Sequence, residues 1–116
     1  MIKARFLLKE SDFAGLEVSG HAFFDEYGKD IVCAGVSALA TTGYNSLAHH
    51  IGVEKIRLDL DESKGYLKFE IIDGTKEDYI KANIIFKTIE IGIDSIAQNY
   101  AGHVTVKKGG GWHAKN

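Results

Sequence analysis

The chain carries a single cysteine, Cys33, and a histidine, His21, one short loop upstream of it. A thiol becomes a useful nucleophile when its pKa is lowered and a base stands ready to take its proton. Asp30 is a good N-cap type, so the spacing predicts a helix from Asp30 to about His50 with Cys33 at its third position. Backbone N–H groups in that first turn lack intrahelical acceptors and carry partial positive charge, which favours a thiolate. The same amides would help hold an oxyanion. His21 would take the thiol proton and later return it to a leaving amine. Asp30 works against a thiolate by its charge, so its better roles are capping the helix or orienting His21. Ser37 follows Cys33 by one helical turn on the same face. Between base and thiol, Phe23, Phe24, Tyr27 and Gly28 form a loop that could cover or line a cleft, with Gly28 letting the backbone turn. The plainer reading of a lone helical cysteine is a small buried hydrophobe.

The elements that must position these residues follow from apolar spacing. Ile2, Ala4, Phe6 and Leu8 alternate with Lys3, Arg5 and Lys9, which predicts a half-buried strand. A turn over Ser11–Gly15 leads to a second alternation through Leu16, Val18, Gly20 and Ala22, which places His21 at a strand end. The helix from Asp30 carries its apolar stripe on Val32, Val36, Leu39, Gly43 and Leu47, and Gly52 marks its exit. Ile56, Leu58 and Leu60 give a third strand, and Leu67, Phe69 and Ile71 a fourth, joined by Asp61–Gly65. Thr75 and Asp78 resemble a capping box before a second helix reaching about Tyr100. Its core stripe is Ala82, Phe86, Ile89, Ile93, Ile96 and Tyr100. Ile84, Ile85 and Ile91 widen the apolar surface, as in a helix that is central or meets a partner subunit. Val104 and Val106 predict a short last strand. The expected fold class is α+β, a two-layer arrangement of two main helices over a mostly antiparallel sheet, order ββαββα plus the short strand. The expected division is one domain over 1–108 and a flexible tail over 109–116.

Composition narrows the function classes. A chain of 116 residues with 45% hydrophobic and 26% charged residues can build one core without disulfides or structural metal. The net charge of −2 argues against a general nucleic-acid binder, so direct nucleic-acid binding is not expected. No apolar run approaches a membrane span, and the start of the chain does not read as a signal peptide. One unpaired thiol suits a reducing cytoplasm. His49 and His50 point about 100° apart on a helix and lack spaced partners, so neither a metal site nor a cofactor is expected. Asp59 and Asp61 read as solvated edge charges, and Lys107–Lys108 before three glycines as part of a solvated tail.

The segment GHAFFDEYGKDIVCAGVSAL, Gly20 to Leu39, resembles the signature of the ribosomal-processing cysteine protease family Prp. The likeness in element order runs to the glycine run at Gly109. It implies a bacterial cysteine endopeptidase that removes an N-terminal extension from the twenty-seventh protein of the large ribosomal subunit. It implies cleavage after a pair of aromatic residues, followed by a small one. The family nucleophile matches Cys33 and the family histidine His21, with Asp30 and Ser37 at positions tied to the site. It also implies a homodimer, with the ribosomal protein precursor as substrate. At positions 23 to 25 the family more usually has a glycine or smaller residue than Phe-Phe-Asp. One expectation is therefore that Phe23, Phe24 and Asp25 fill the aromatic cleft in the free enzyme. The alternative from another class is a non-catalytic ribosome-assembly or adaptor protein that binds the extension without cutting it.

Overall fold

Ile2, Ala4 and Phe6 are buried while Lys3 faces solvent, and this period of two lays down β1 (Ile2–Lys9) with one face inward. A computed structural model describes residues 1–22, 24–26 and 29–109. β1 turns through Glu10 and Ser11 into β2 (Asp12–Ser19), paired antiparallel from Lys9↔Asp12 to Lys3↔Ser19. The expected turn over Ser11–Gly15 is therefore too long, because Phe13 to Gly15 belong to the strand. A register shift between Leu7 and Leu8 leaves Ala14 as an extra residue. This bulge lets Phe13 join the core beside Phe6 and Phe86.

β2 also ends earlier than its alternation suggests. Gly20 takes φ +92, and the chain leaves the strand there. A Cβ at Gly20 would lie 2.5 Å from the Met1 carbonyl oxygen, so both the angle and the space select glycine. His21 stands beyond the strand rather than at its end.

α1 (Ile31–Ile51) buries Val32, Val36, Ala40, Gly43, Leu47 and Ile51 along one stripe. By length and composition alone α1 could cross a membrane; here that stripe belongs to the same core as the strands. A short turn at Val53–Lys55 leads into β3 (Ile56–Asp61), which pairs antiparallel with β4 (Tyr66–Ile71). α2 (Lys76–Asn99) follows, and β5 (Val104–Lys108) lies parallel to β1 with Ile2 opposite Val104. The sheet order is β3-β4-β2-β1-β5. This is an α+β fold with a mostly antiparallel sheet and two main helices. The helices approach closely where side chains are small: Gly35 meets Ile96, Gly43 meets Ile89, and Gly92 meets Leu39. Phe69 stacks on Phe86 at 5.7 Å in the centre of the core.

Lys107 and Lys108 lie in β5 rather than in a tail. The Lys108 ammonium sits 3.6 Å from Glu90 and over the Phe13 ring, which anchors it against α2. The rest of the expected tail, residues 110–116, lies outside the described residues. On α2 the isoleucines divide. Ile89 and Ile93 are buried, whereas Ile80, Ile84 and Ile91 are 60%, 67% and 61% exposed and form a second apolar stripe.

The α2 capping box is present, with Asp78 in the Glu position. The Asp78 N–H donates to Thr75 Oγ1 at 3.1 Å, and the Thr75 N–H donates to Asp78 Oδ2 at 2.9 Å. Lys55 also donates to Asp78 Oδ2 at 2.6 Å. The Lys55 bond first, then the Thr75 amide, pull the carboxyl from its ordinary 3.8 to about 2. A depressed carboxylate stabilises the fold fully above its unfolded value and loses that contribution as pH falls through the folded one. Asp78→Asn should therefore lower the melting temperature at neutral pH. The gap to the parent protein should close between about pH 4 and pH 2. Thermal melts across that range check it.

Candidate active site

Asp30 caps α1 as its residue type predicts. Its Oδ1 accepts from the Val32 and Cys33 amides, both at 3.0 Å. Its Oδ2 accepts from the Phe24 amide at 3.0 Å and the Asp25 amide at 3.5 Å. The carboxylate thus ties the start of the helix to the loop before it. Burial opposes its ionisation, but the amides of Cys33 and Phe24 outweigh that and hold its pKa below the usual carboxylate range. Capping, of the two roles expected of Asp30, is the one these bonds define.

This arrangement corrects the electrostatic expectation for Cys33. The Val32 and Cys33 amides expected to favour a thiolate or hold an oxyanion are already engaged by Asp30. The donor to the sulfur comes instead from the loop: the Ala22 N–H points at Cys33 Sγ, 3.2 Å away. Burial pushes the thiol pKa up, the Ala22 N–H pulls it down, and Asp30 pushes it up again, for a net rise. At neutral pH the sulfur holds its proton more firmly than a free cysteine would, so attack on a carbonyl needs a base.

His21 and Cys33 line one cleft of about 990 Å³. Asp30 and Ser37 line it too, with Asp25, so Cys33, His21, Asp30 and Ser37 all face the same cleft. Ser37 stands one turn beyond Cys33, exposed on the same wall. The other wall comes from the β3–β4 hairpin, through Leu58, Leu60, Tyr66 and Leu67. Leu58 and Leu60 alternate as a core strand would, yet they are 41% and 59% exposed because β3 is the sheet edge and faces the cleft. Sequence reasoning had assigned the cleft lining to the loop aromatics and missed these leucines. The available signal was an apolar alternation on an edge strand.

Phe24 stands elsewhere than expected. Phe24 sets its ring edge-on to Tyr100 at 5.2 Å and to His103 at 5.3 Å, away from the residues that line the cleft. Phe23, Tyr27 and Gly28 lie outside the described residues. His49 and His50 sit edge to face in the last turn of α1.

A second residue missed in the sequence is Gly65. It closes the β3–β4 connection with φ +61, and its carbonyl accepts from the Gly20 amide at 3.1 Å. A Cβ there would come within 2.9 Å of Cε1 and 3.0 Å of Nε2 in the His21 ring. The absence of a side chain at Gly65 thus creates the seat of the imidazole. Gly65→Ala should displace the His21 ring, and a reaction that depends on that imidazole should slow about tenfold or more. Its left-handed backbone adds a strain of about 1 kcal/mol. Turnover measured beside a melting curve separates the two effects.

A lone thiol and an imidazole facing one open, apolar-walled cleft on an α+β scaffold form the working parts of a thiol peptidase. The family model described as cysteine protease Prp matches residues 1–105, and the chain belongs to that family. It is a cysteine protease. It is 33% identical over 91 residues to the ribosomal processing cysteine protease Prp of Bacillus subtilis (strain 168), covering 78% of this chain and 80% of the relative. It is 32% identical over 85 residues to the Prp of Staphylococcus aureus (strain Mu50), covering 72% and 74%. A crystal structure of the S. aureus protease with a covalently linked product peptide superposes with a TM-score of 0.80 at 25% identity, covering 93% of this chain and 99% of that one. The crystal structure of SMU.848 from Streptococcus mutans gives 0.77 at 34% identity, covering 93% of both. The relatives are ribosomal processing cysteine proteases by name.

Proposed function

We propose that this chain removes the N-terminal extension of the twenty-seventh protein of the large ribosomal subunit, cutting after an aromatic pair. The observation that carries the reading is the shared cleft, lined by Cys33 and His21 together with leucines of the β3–β4 hairpin. Its volume of about 990 Å³ leaves room for a short peptide segment. Two phenylalanines would each contribute roughly 1.5–3 kcal/mol if fully buried there. In this reading Cys33 is the nucleophile and His21 the general base. His21 takes the thiol proton as sulfur attacks the carbonyl carbon, then gives it to the departing amine. The acyl group stays on sulfur as a thioester, and a water activated by His21 releases it. Asp30 holds the loop to the helix, and Ser37 forms part of the wall that the substrate backbone passes. The exposed stripe of Ile80, Ile84 and Ile91 supports assembly as a homodimer. The unpaired thiol supports a cytoplasmic setting.

The test is a peptide carrying Phe-Phe-Ala, incubated with the protein and followed by mass spectrometry. A single cut after the second Phe, absent from a matched Ala-Ala-Ala peptide, is the expected result. An uncut extended ribosomal protein under the same conditions overturns the substrate assignment.

A further inference from the structure

Both backbone polar groups of Ala22 are held, one on each of the two peptide units that meet at its Cα. Its N–H donates to Cys33 Sγ at 3.2 Å, and its carbonyl oxygen lies 2.8 Å from Nδ1 of His103. A carbonyl can only accept, so Nδ1 of His103 carries the proton. In the neutral ring this leaves Nε2 as an acceptor, and the imidazolium makes the same bond.

His103 is well fixed for such a role. Its own N–H donates to the Tyr100 carbonyl at 3.1 Å, and its carbonyl accepts from the Ile2 amide at 2.9 Å. The residue is thereby bound to the end of α2 and to the start of the central sheet. The Phe24 ring meets the imidazole edge-on at 5.3 Å. Ala22 itself is 2% exposed, so its polar groups depend on partners within the protein. The residue that supplies the only N–H described as donating to the sulfur is therefore tied, through its carbonyl, to a side chain 81 positions away.

We propose that His103 is a positioning residue, whose Nδ1–H on the Ala22 carbonyl anchors in place the residue that presents its N–H to the sulfur of Cys33. The proposal rests on the reading of Cys33 as nucleophile. His103 touches no reacting atom. It anchors the carbonyl side of Ala22 and so restrains the residue whose N–H, on the preceding peptide unit, faces the sulfur as negative charge develops there. A donor fixed in advance needs no reorganisation during the reaction. The Ala22 amide opposes the burial and the Asp30 carboxylate that raise the thiol pKa, and His21, Asp25, Glu62, Tyr44 and Tyr66 are the other titratable side chains among the cleft's lining residues.

The experiment uses three variants and two readouts. His103→Asn puts an amide donor where Nδ1 stands. His103→Gln extends its amide toward the Nε2 position, and His103→Leu removes the donor. Iodoacetamide labelling of Cys33 across pH reads the thiolate directly, and steady-state cleavage reads kcat and KM. In the Gln and Leu variants labelling at neutral pH should fall about tenfold, its midpoint should rise, and kcat should fall with KM unchanged. His103→Asn should restore both readouts. Parent-like labelling in Gln and Leu overturns the proposal. So does an Asn variant as impaired as Leu, which would make the ring a mere spacer under Phe24. If Leu fails to fold, the Asn and Gln pair decides alone. Cleavage surviving in Cys33→Ala would instead defeat the nucleophile reading, while the labelling comparison in the His103 series would still stand.

Discussion

Cys33→Ala should fold and cut nothing. The thiol supplies the bond-forming electron pair, and an alanine methyl leaves no substitute, so turnover of the extended substrate should fall below detection. The structural cost is small. The side chain is only partly buried, and its place in α1 depends on the Asp30 cap, whose acceptors serve backbone amides that the substitution leaves intact. The buried Ala22 N–H does lose its sulfur acceptor, so a loss of about 1 kcal/mol is expected. For a domain of this size that corresponds to at most ~4–8 °C in melting temperature. Mass spectrometry of the incubated precursor and a thermal melt check both halves. A shortened product from Cys33→Ala rejects the nucleophile.

His21→Ala should lower cleavage by about 10²–10⁴-fold, the usual worth of a positioned general base. The thiol makes this dependence strong. Burial and the Asp30 carboxylate raise its pKa against the pull of the Ala22 amide, so at neutral pH little thiolate forms unaided. The pH profile should therefore change shape as well as height. With the imidazole present, the rate should need no free thiolate. Without it, the remaining rate should climb with pH as the sulfur ionises. Cleavage rates measured from about pH 6 to pH 10 show which holds, and a variant with unchanged neutral rate removes His21 from the chemistry.

Much of the site was legible because it is local. Asp30, Cys33 and Ser37 lie within two turns of one helix, and the N-cap type of Asp30 fixed where that helix begins. Thr75 and Asp78 announced the start of α2 in the same way. What failed was knowledge of which neighbour covers a face. Leu58 and Leu60 alternate like core residues, but alternation does not tell a buried partner from an open cleft. The alternation through Ala22 carried the strand past Ser19, because it could not register that Gly20 turns out at φ +92. The helix-terminal amides promised an anion site, but the cap that marks the helix also occupies them. Gly65 under His21 and His103 behind Ala22 are contacts between distant segments. No local pattern encodes them.

The parallel pairing of β5 with β1 has a practical outcome for handling the protein. Ile2 lies opposite Val104 and Phe6 opposite Lys108, so the two strands run the same way. The Met1 carbonyl presses on Gly20, one residue from His21. An affinity tag fused ahead of Met1 would therefore emerge at the mouth of the enzyme and compete with incoming peptide for space. β5 runs the other way from that mouth and ends at Lys108 beside Phe6, at the opposite rim of the sheet.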